Sequence, residues 1–160
     1  MIKVLFVCLG NICRSPLGEA IFRDMICKKG LEKKIEVDSA GTASYHIGGN
    51  PDPRTIECAS AHQIPINHKA QQFSTDDLED FNYVLAMDHS NLEHILRKGG
   101  KLNQNVFLMR HFDSLNKDGD VPDPYYGGMD GFEEIFGIIE RSCQNLMEFI
   151  IQQHQLAIDE

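Results

Sequence analysis

The sequence predicts an α/β fold, a three-layer sandwich in which helices flank a four-stranded parallel sheet. Three observations carry it. Short apolar runs of strand length recur along the chain, and segments with helical spacing separate them. A loop rich in Gly, Asp and Pro precedes one long amphipathic segment near the end. There is no internal repeat and no low-complexity tract, so residues 1–160 read as one domain.

The elements follow in order. "KVLFV" is a strand ending at Cys8. From Ser15 to about Lys29 the pattern is helical, with Leu17, Ala20, Ile21, Met25 and Ile26 on one side. Ser15 suits the N-cap and Pro16 the first helical position. Gly18 should slightly loosen that first turn. Residues 34–41, "KIEVDSAG", read as the second strand, and residues 53–62 as a helix. "TDDLEDF" is a short helix capped by Ser74, and "YVLAM" at 83–87 is the third strand. Asp88 caps the next helix, "SNLEHILRK", which Gly99 and Gly100 stop. "NVFLM" at 105–109 is the fourth strand. In the last helix Phe132, Phe136, Ile139, Cys143, Leu146, Met147 and Ile150 recur at helical spacing. Cys27 and Cys143 read as core packing.

Bulk properties narrow the function. The chain has 160 residues, 42% of them hydrophobic and 24% charged, as expected of a soluble domain with a real core. No apolar run approaches the roughly 20 residues of a membrane helix, and "MIKVLFVC" lacks a signal-peptide cleavage site. Five scattered cysteines suit reduced thiols in a cytoplasm rather than a disulfide frame. The net charge of −9, with no basic block, argues against nucleic acid as a partner. Any anionic ligand must therefore be held by local groups.

"VCLGNICRSP", residues 7–16, supplies such groups. Cys8 ends a strand and a helix opens at Ser15, so the loop between them lies at the sheet edge where ligands bind. Its backbone N–H groups, at a helix N-terminus, form an anion cradle. Gly10 and Asn11 tolerate the positive φ angles of such a loop. Arg14 adds a planar cationic fork matched to phosphate oxygens. The same groups stabilise negative charge on the Cys8 sulfur, which suits it to attack phosphorus. Taken alone, Cys8 could equally be a buried strand cysteine. Cys8 and Cys13 could be half of a zinc site, but no other cysteine pair has metal spacing. The loop is not a nucleotide-binding one, because no Gly-Lys-Ser/Thr follows.

"FVCLGNICRSPLGEAIF" resembles the signature of the low-molecular-weight protein tyrosine phosphatases. The likeness continues in "DSAGTASYHIGGNPDPR", "INHKAQQF", "VLAMDHSNL" and "VPDPYYGG", in the family's order and over nearly the whole chain. The resemblance implies that Cys8 is the nucleophile and Arg14 the binder of the phosphoryl oxygens. Leu9, Gly10, Asn11, Ile12, Cys13 and Ser15 would form the phosphate-binding loop. Ser15 would donate to the Cys8 sulfur, and Asn11 would brace the loop with help from Ser39. His68 and Glu19 would join the hydrogen-bond network around Ser15. Asp123, between two prolines, would be the general acid and then the base; by composition alone it could be a turn aspartate. Asp113, Asp118 and Asp120 read as solvated charges. Tyr125 and Tyr126 would line the pocket rim, with Tyr45 opposite and Ile12 beneath the phenyl ring. A phosphoarginine-specific branch carries threonine where Ile12 stands, so Ile12 favours phosphotyrosine. Cys13 would be a redox partner of Cys8, or only a small loop residue. The other histidines read as surface residues.

The implied partners are phosphotyrosine proteins, with inorganic phosphate as product, no metal or other cofactor, and a monomer or weak self-association. An arsenate reductase on the same fold would need a redox cysteine pair after the third strand, and there is no cysteine between residues 59 and 142. A phosphotyrosine-binding module would have lost Cys8, Arg14 or the acid, and all three are present.

Overall fold

The first apolar run becomes the central strand β1 (Ile2–Cys8), buried on both faces. The computed structural model describes residues 1–99 and 105–158. β1 pairs in parallel with β2 (Ile35–Gly41) on one side and with β3 (Tyr83–Ala86) on the other. β4 (Val106–Leu108) adds to β3, giving four parallel strands in the order β2-β1-β3-β4. The chain steps from β1 to β2, then crosses back to β3, so its direction reverses at β1. That reversal opens a crevice beyond the carboxyl end of β1.

Alternation along β1 fills two cores. Val4, Phe6 and Cys8 pack in the larger one with α1 (Arg14–Lys28), α2 (Pro53–Ala61) and α5 (Met129–His154). Leu5 and Val7 face the smaller one with Leu78 of α3 (Asp77–Asp80) and Ile95 of α4 (His89–Gly99). α2 starts where it does because Asp52 accepts the Arg54 N–H at 2.9 Å and Pro53 occupies the first turn. Asp88 caps α4 as expected, accepting the Asn91 N–H at 2.7 Å.

Several local expectations change. α1 begins at Arg14 and its N-cap is Cys13, two residues before the expected cap at Ser15, with no side-chain cap bond. The Ser15 hydroxyl is instead spent on the loop, and Pro16 still falls in the first turn, where an N–H has no helical partner. Ser74 does not cap α3 with its hydroxyl; its carbonyl accepts the Asp77 N–H and its N–H donates to the Asp77 carboxylate. The fourth strand is shorter than residues 105–109, because the chain turns at Met109 into a 3₁₀ turn, Met109–Phe112. Gly100, expected to help stop α4, lies outside the described residues. Cys143 is core, but Cys27 is exposed near the end of α1. Gly18 also has a packing reason. A Cβ there would meet Met87 Cε at 3.0 Å and Phe6 Cγ at 3.4 Å, so α1 lies close on the sheet. Among the described residues no helix is long and apolar enough to cross a membrane.

Candidate active site

The loop between β1 and α1 sits in the crevice. Cys8 is opposite Gly41 in the parallel register, and a Cβ on Gly41 would meet Leu9 O at 2.8 Å and Asn11 N at 3.1 Å. Only glycine lets the loop cross the end of β2 this closely. Asn11 holds the left-handed conformation, φ 57°. The carbonyls of Cys8, Leu9 and Ile12 accept from the N–H groups of Thr42, Ala43 and Asp52 at 2.8–2.9 Å. In a trans peptide the N–H points opposite its C=O. Tying these carbonyls outward therefore turns the next N–H groups, of Leu9, Gly10 and Cys13, toward the pocket.

The side chains below the loop form one continuous network. Ser15 Oγ lies 2.9 Å from Cys8 Sγ. Asn11 Nδ2 donates to Ser15 Oγ at 2.8 Å and to Ser39 Oγ at 3.0 Å. Its amide oxygen accepts from Gln71 N at 3.0 Å and faces His68 Nε2 at 2.7 Å. Because the Asn11 nitrogen is committed to two hydroxyls, its oxygen faces His68, which must donate there. His68 Nδ1 lies 3.2 Å from Glu19, and Ser39 donates to Glu19 at 2.8 Å. Burial opposes the Glu19 charge, but hydrogen bonds from His68 and Ser39 and the Arg23 charge outweigh it and hold its carboxyl below the usual range. Since Ser15 Oγ already receives the Asn11 amide, its own proton is free for the Cys8 sulfur or the more distant Ala40 carbonyl.

Arg14 is almost fully buried. Its Nη1 donates to Asp88 at 2.7 Å and to the Val121 carbonyl at 2.9 Å. Burial works against its charge, but Cys8 and Asp88 outweigh it and raise its pKa further. Its Nη2 reaches toward Asp123, whose Oδ2 is 3.7 Å away. Asp123 Oδ1 accepts the Tyr125 N–H at 3.0 Å, so the carboxyl is held at the pocket mouth by a local turn. Burial, then Asp52, Cys8 and Asp123, push the Cys13 thiol up to about 12.

The resulting pocket holds about 330 Å³. It brings together Cys8, Arg14, Asp123, Ile12, Tyr45 and both loop tyrosines. Tyr126 is 95% exposed, so it forms a rim rather than a wall. Ser39, His68 and Glu19 lie beneath the loop, away from the pocket lining.

Sequence reasoning missed three groups. His46, read as a surface residue, is half-buried and lines the pocket. Arg54 went unnoticed. Asp52 holds its guanidinium, which donates to the Tyr125 and Gly127 carbonyls at 2.8 Å and lies over the Phe132 ring. It thereby anchors the loop that carries Asp123 to α2. The tripeptide "DPR" at a helix start signals only a cap and gave no hint of this. Asp113, read as a solvated charge, is buried and receives Arg110 at 2.8 Å and Arg141 at 2.6 and 3.0 Å. Arg141 above all holds its carboxyl well below the usual range. Arg110 also donates to the Asp120 carbonyl at 3.0 Å, securing the other end of the Asp123 loop. Asp118 and Asp120 are exposed but paired, with His111 and His89.

Known proteins are similar to this chain over nearly its whole length. A family model described as low molecular weight phosphotyrosine protein phosphatase matches residues 3–156. A protein of that name from Schizosaccharomyces pombe is 44% identical over 151 residues, 93% of this chain and 97% of its own length. A low molecular weight protein-tyrosine-phosphatase of Bacillus subtilis is 45% identical over 159 residues, 98% of this chain and all of its own. The crystal structure of a protein tyrosine phosphatase from Entamoeba histolytica, with Hepes in the active site, has a TM-score of 0.91 at 37% identity, covering 98% of this chain and 100% of that one. A match of that length takes in the loop, the sheet and the closing helix together: the chain belongs to the low molecular weight phosphotyrosine protein phosphatase family.

Proposed function

We propose that this chain, acting as one domain, hydrolyses phosphotyrosine in proteins, and simple aryl phosphates, through a phosphocysteine on Cys8. The observation that carries the proposal is the convergence of Cys8, Arg14 and Asp123 on one pocket, with Arg14 Nη2 3.7 Å from the Asp123 carboxyl. In the first step the Cys8 sulfur attacks phosphorus and the aryl oxygen leaves with the Asp123 proton. Arg14 and the inward N–H groups hold the phosphoryl oxygens as charge builds on them. In the second step Asp123 takes a proton from water, the water oxygen attacks phosphorus, and the Cys8 thiolate leaves with inorganic phosphate released. The Ser15 hydroxyl stabilises the leaving sulfur across 2.9 Å. Asn11, Ser39, His68 and Glu19 keep the loop in shape. Thiolate, guanidinium and carboxyl complete both displacements, so the scheme calls on no metal or other cofactor.

Cys13 is unsuited to the nucleophile's part, since its thiol at about 12 stays protonated at neutral pH. Ile12, Tyr45 and Tyr125 offer apolar walls to a flat phenyl ring. The test is phosphate release from phosphotyrosine and an aryl phosphate, in EDTA with a reductant. Cys8→Ser should abolish turnover and Asp123→Ala should cut kcat by about 10²–10⁴. No turnover by the reduced wild-type chain, or full turnover by Cys8→Ser, would overturn the proposal.

A further inference from the structure

On the far side of α2 from its capped start, three donor groups meet that the proposed chemistry does not use. Cys58 lies one helical turn after Arg54, and His62, one turn further, caps the helix. Spacing of four residues sets all three on one face of α2. α5 packs there and contributes Glu133, on the turn beside Phe132. Cys58 Sγ is 3.5 Å from Glu133 Oε1, and His62 Nε2 is 2.8 Å from Glu133 Oε2. The three donor atoms lie within 4.8 Å of one another. The His62 ring is stacked on Phe136, with centroids 3.7 Å apart and planes 9° apart, so the imidazole plane is fixed.

We propose that Cys58, His62 and Glu133 form a binding site for one divalent cation of the Zn²⁺ type. A tetrahedral Zn²⁺ with one sulfur, one nitrogen and one oxygen ligand holds them about 3.3–3.6 Å apart. The present spacing brackets that range, and side-chain adjustments of about 1 Å or less satisfy it. The donor set is selective: a thiolate and an imidazole suit borderline-soft ions, not Mg²⁺ or Ca²⁺. Binding releases the Cys58 proton to solvent, and thiolate plus carboxylate then neutralise the dication. His62 and Glu133 are half-exposed, which gives the ion a path in and leaves the fourth position to water. An exposed His–Glu pair alone would be an ordinary weak surface contact. The buried thiol aimed at the same carboxylate is what makes it a site. The ion would staple α2 to α5 next to Arg54, the residue that anchors the Asp123 loop.

The experiment titrates ZnCl₂ against a chromophoric chelator, with a phosphine reductant, using the full chain and its Cys8→Ser variant. CoCl₂ is the spectroscopic probe. The expected result is one equivalent bound by both proteins, a thiolate-to-cobalt charge-transfer band with tetrahedral visible bands, and a raised Tm. His62→Ala and Glu133→Gln should each weaken binding by at least about 100-fold, and Cys58→Ser should remove the charge-transfer band. His62→Ala and Glu133→Gln change half-exposed side chains, so the test stands even if Cys58→Ser does not fold. Absence of stoichiometric binding overturns the proposal. So does binding that disappears with Cys8→Ser and survives in His62→Ala and Glu133→Gln, which would assign the ion to the thiol of the loop.

Discussion

Replacing Asn11 with alanine tests how the loop is held. The side chain is fully buried and takes part in four hydrogen bonds, with Ser15, Ser39, His68 and Gln71. The partners do not lose equally. Ser15 keeps Cys8 and Ala40, Ser39 keeps Glu19, and His68 Nε2 keeps Ser39 at 3.3 Å. For these three the loss is that of an ordinary bond, about 1 kcal/mol each. The Gln71 N–H loses its acceptor, at about 1–3 kcal/mol. Alanine at φ 57° adds about 1 kcal/mol over asparagine, which tolerates the left-handed region better. Asn11→Ala should therefore cost about 5–7 kcal/mol, a large part of the 5–15 kcal/mol typical of a whole domain. Urea unfolding followed by circular dichroism, with m unchanged, measures it. Turnover of an aryl phosphate by the folded variant should also fall, since the loop N–H groups lose their aim. A stability loss below about 1 kcal/mol would refute the reasoning. The loop would then be held by its backbone bonds to Thr42, Ala43 and Asp52 alone.

Two further outcomes follow from groups near the site. Asp113 has a depressed pKa in the fold, so its contribution is complete above the unfolded value, about 4, and is lost as pH falls through that value toward the folded one. Asp113→Asn, which strands Arg110 and Arg141, should cost about 3–5 kcal/mol at pH 7 and progressively less below about pH 4; equal losses in urea unfolding at pH 7 and pH 3 would contradict this. If Cys13 is the redox partner of Cys8, peroxide would take the Cys8 sulfur to sulfenic acid, and condensation with the Cys13 thiol would give a disulfide and water. Cys13→Ser should then lower the fraction of activity that a thiol restores after peroxide treatment, and equal recovery in variant and wild type would remove Cys13 from that role.

Chemistry carried by one short segment was legible in the sequence. Cys8, Asn11, Arg14 and Ser15 lie within eight residues, between a strand end and a helix start, and neighbours that close meet whatever the rest of the chain does. β1 was legible because a parallel strand buried on both faces reads as a continuous apolar run, here Val4 to Cys8 after Lys3. α5 was legible because one of its faces is continuously apolar. Helix starts were less so. Ser15 has the composition of a cap, yet Cys8 and Asn11 claim its hydroxyl.

Spacing and periodicity did not show which distant groups join that segment; for Ser39, His68, Glu19 and Asp123 only the family resemblance pointed to them, and the contacts themselves depend on the tertiary structure. Asp113 looked solvated in a run of Asp, Gly and Asn; its burial depends on Arg141, 28 residues away on α5. Asp88 serves two masters, capping α4 and receiving Arg14, because β3 lies beside β1. His68 reaches Asn11, and Arg54 reaches the Asp123 loop, across 57 and more than 70 residues of sequence. Cys58, His62 and Glu133 have no motif spacing and meet only where α2 packs on α5. Spacing along the chain determines local backbone and nearest-neighbour chemistry. Contacts between remote residues depend on sheet order and helix packing, which arise from burial of the whole core and leave no trace at any single position.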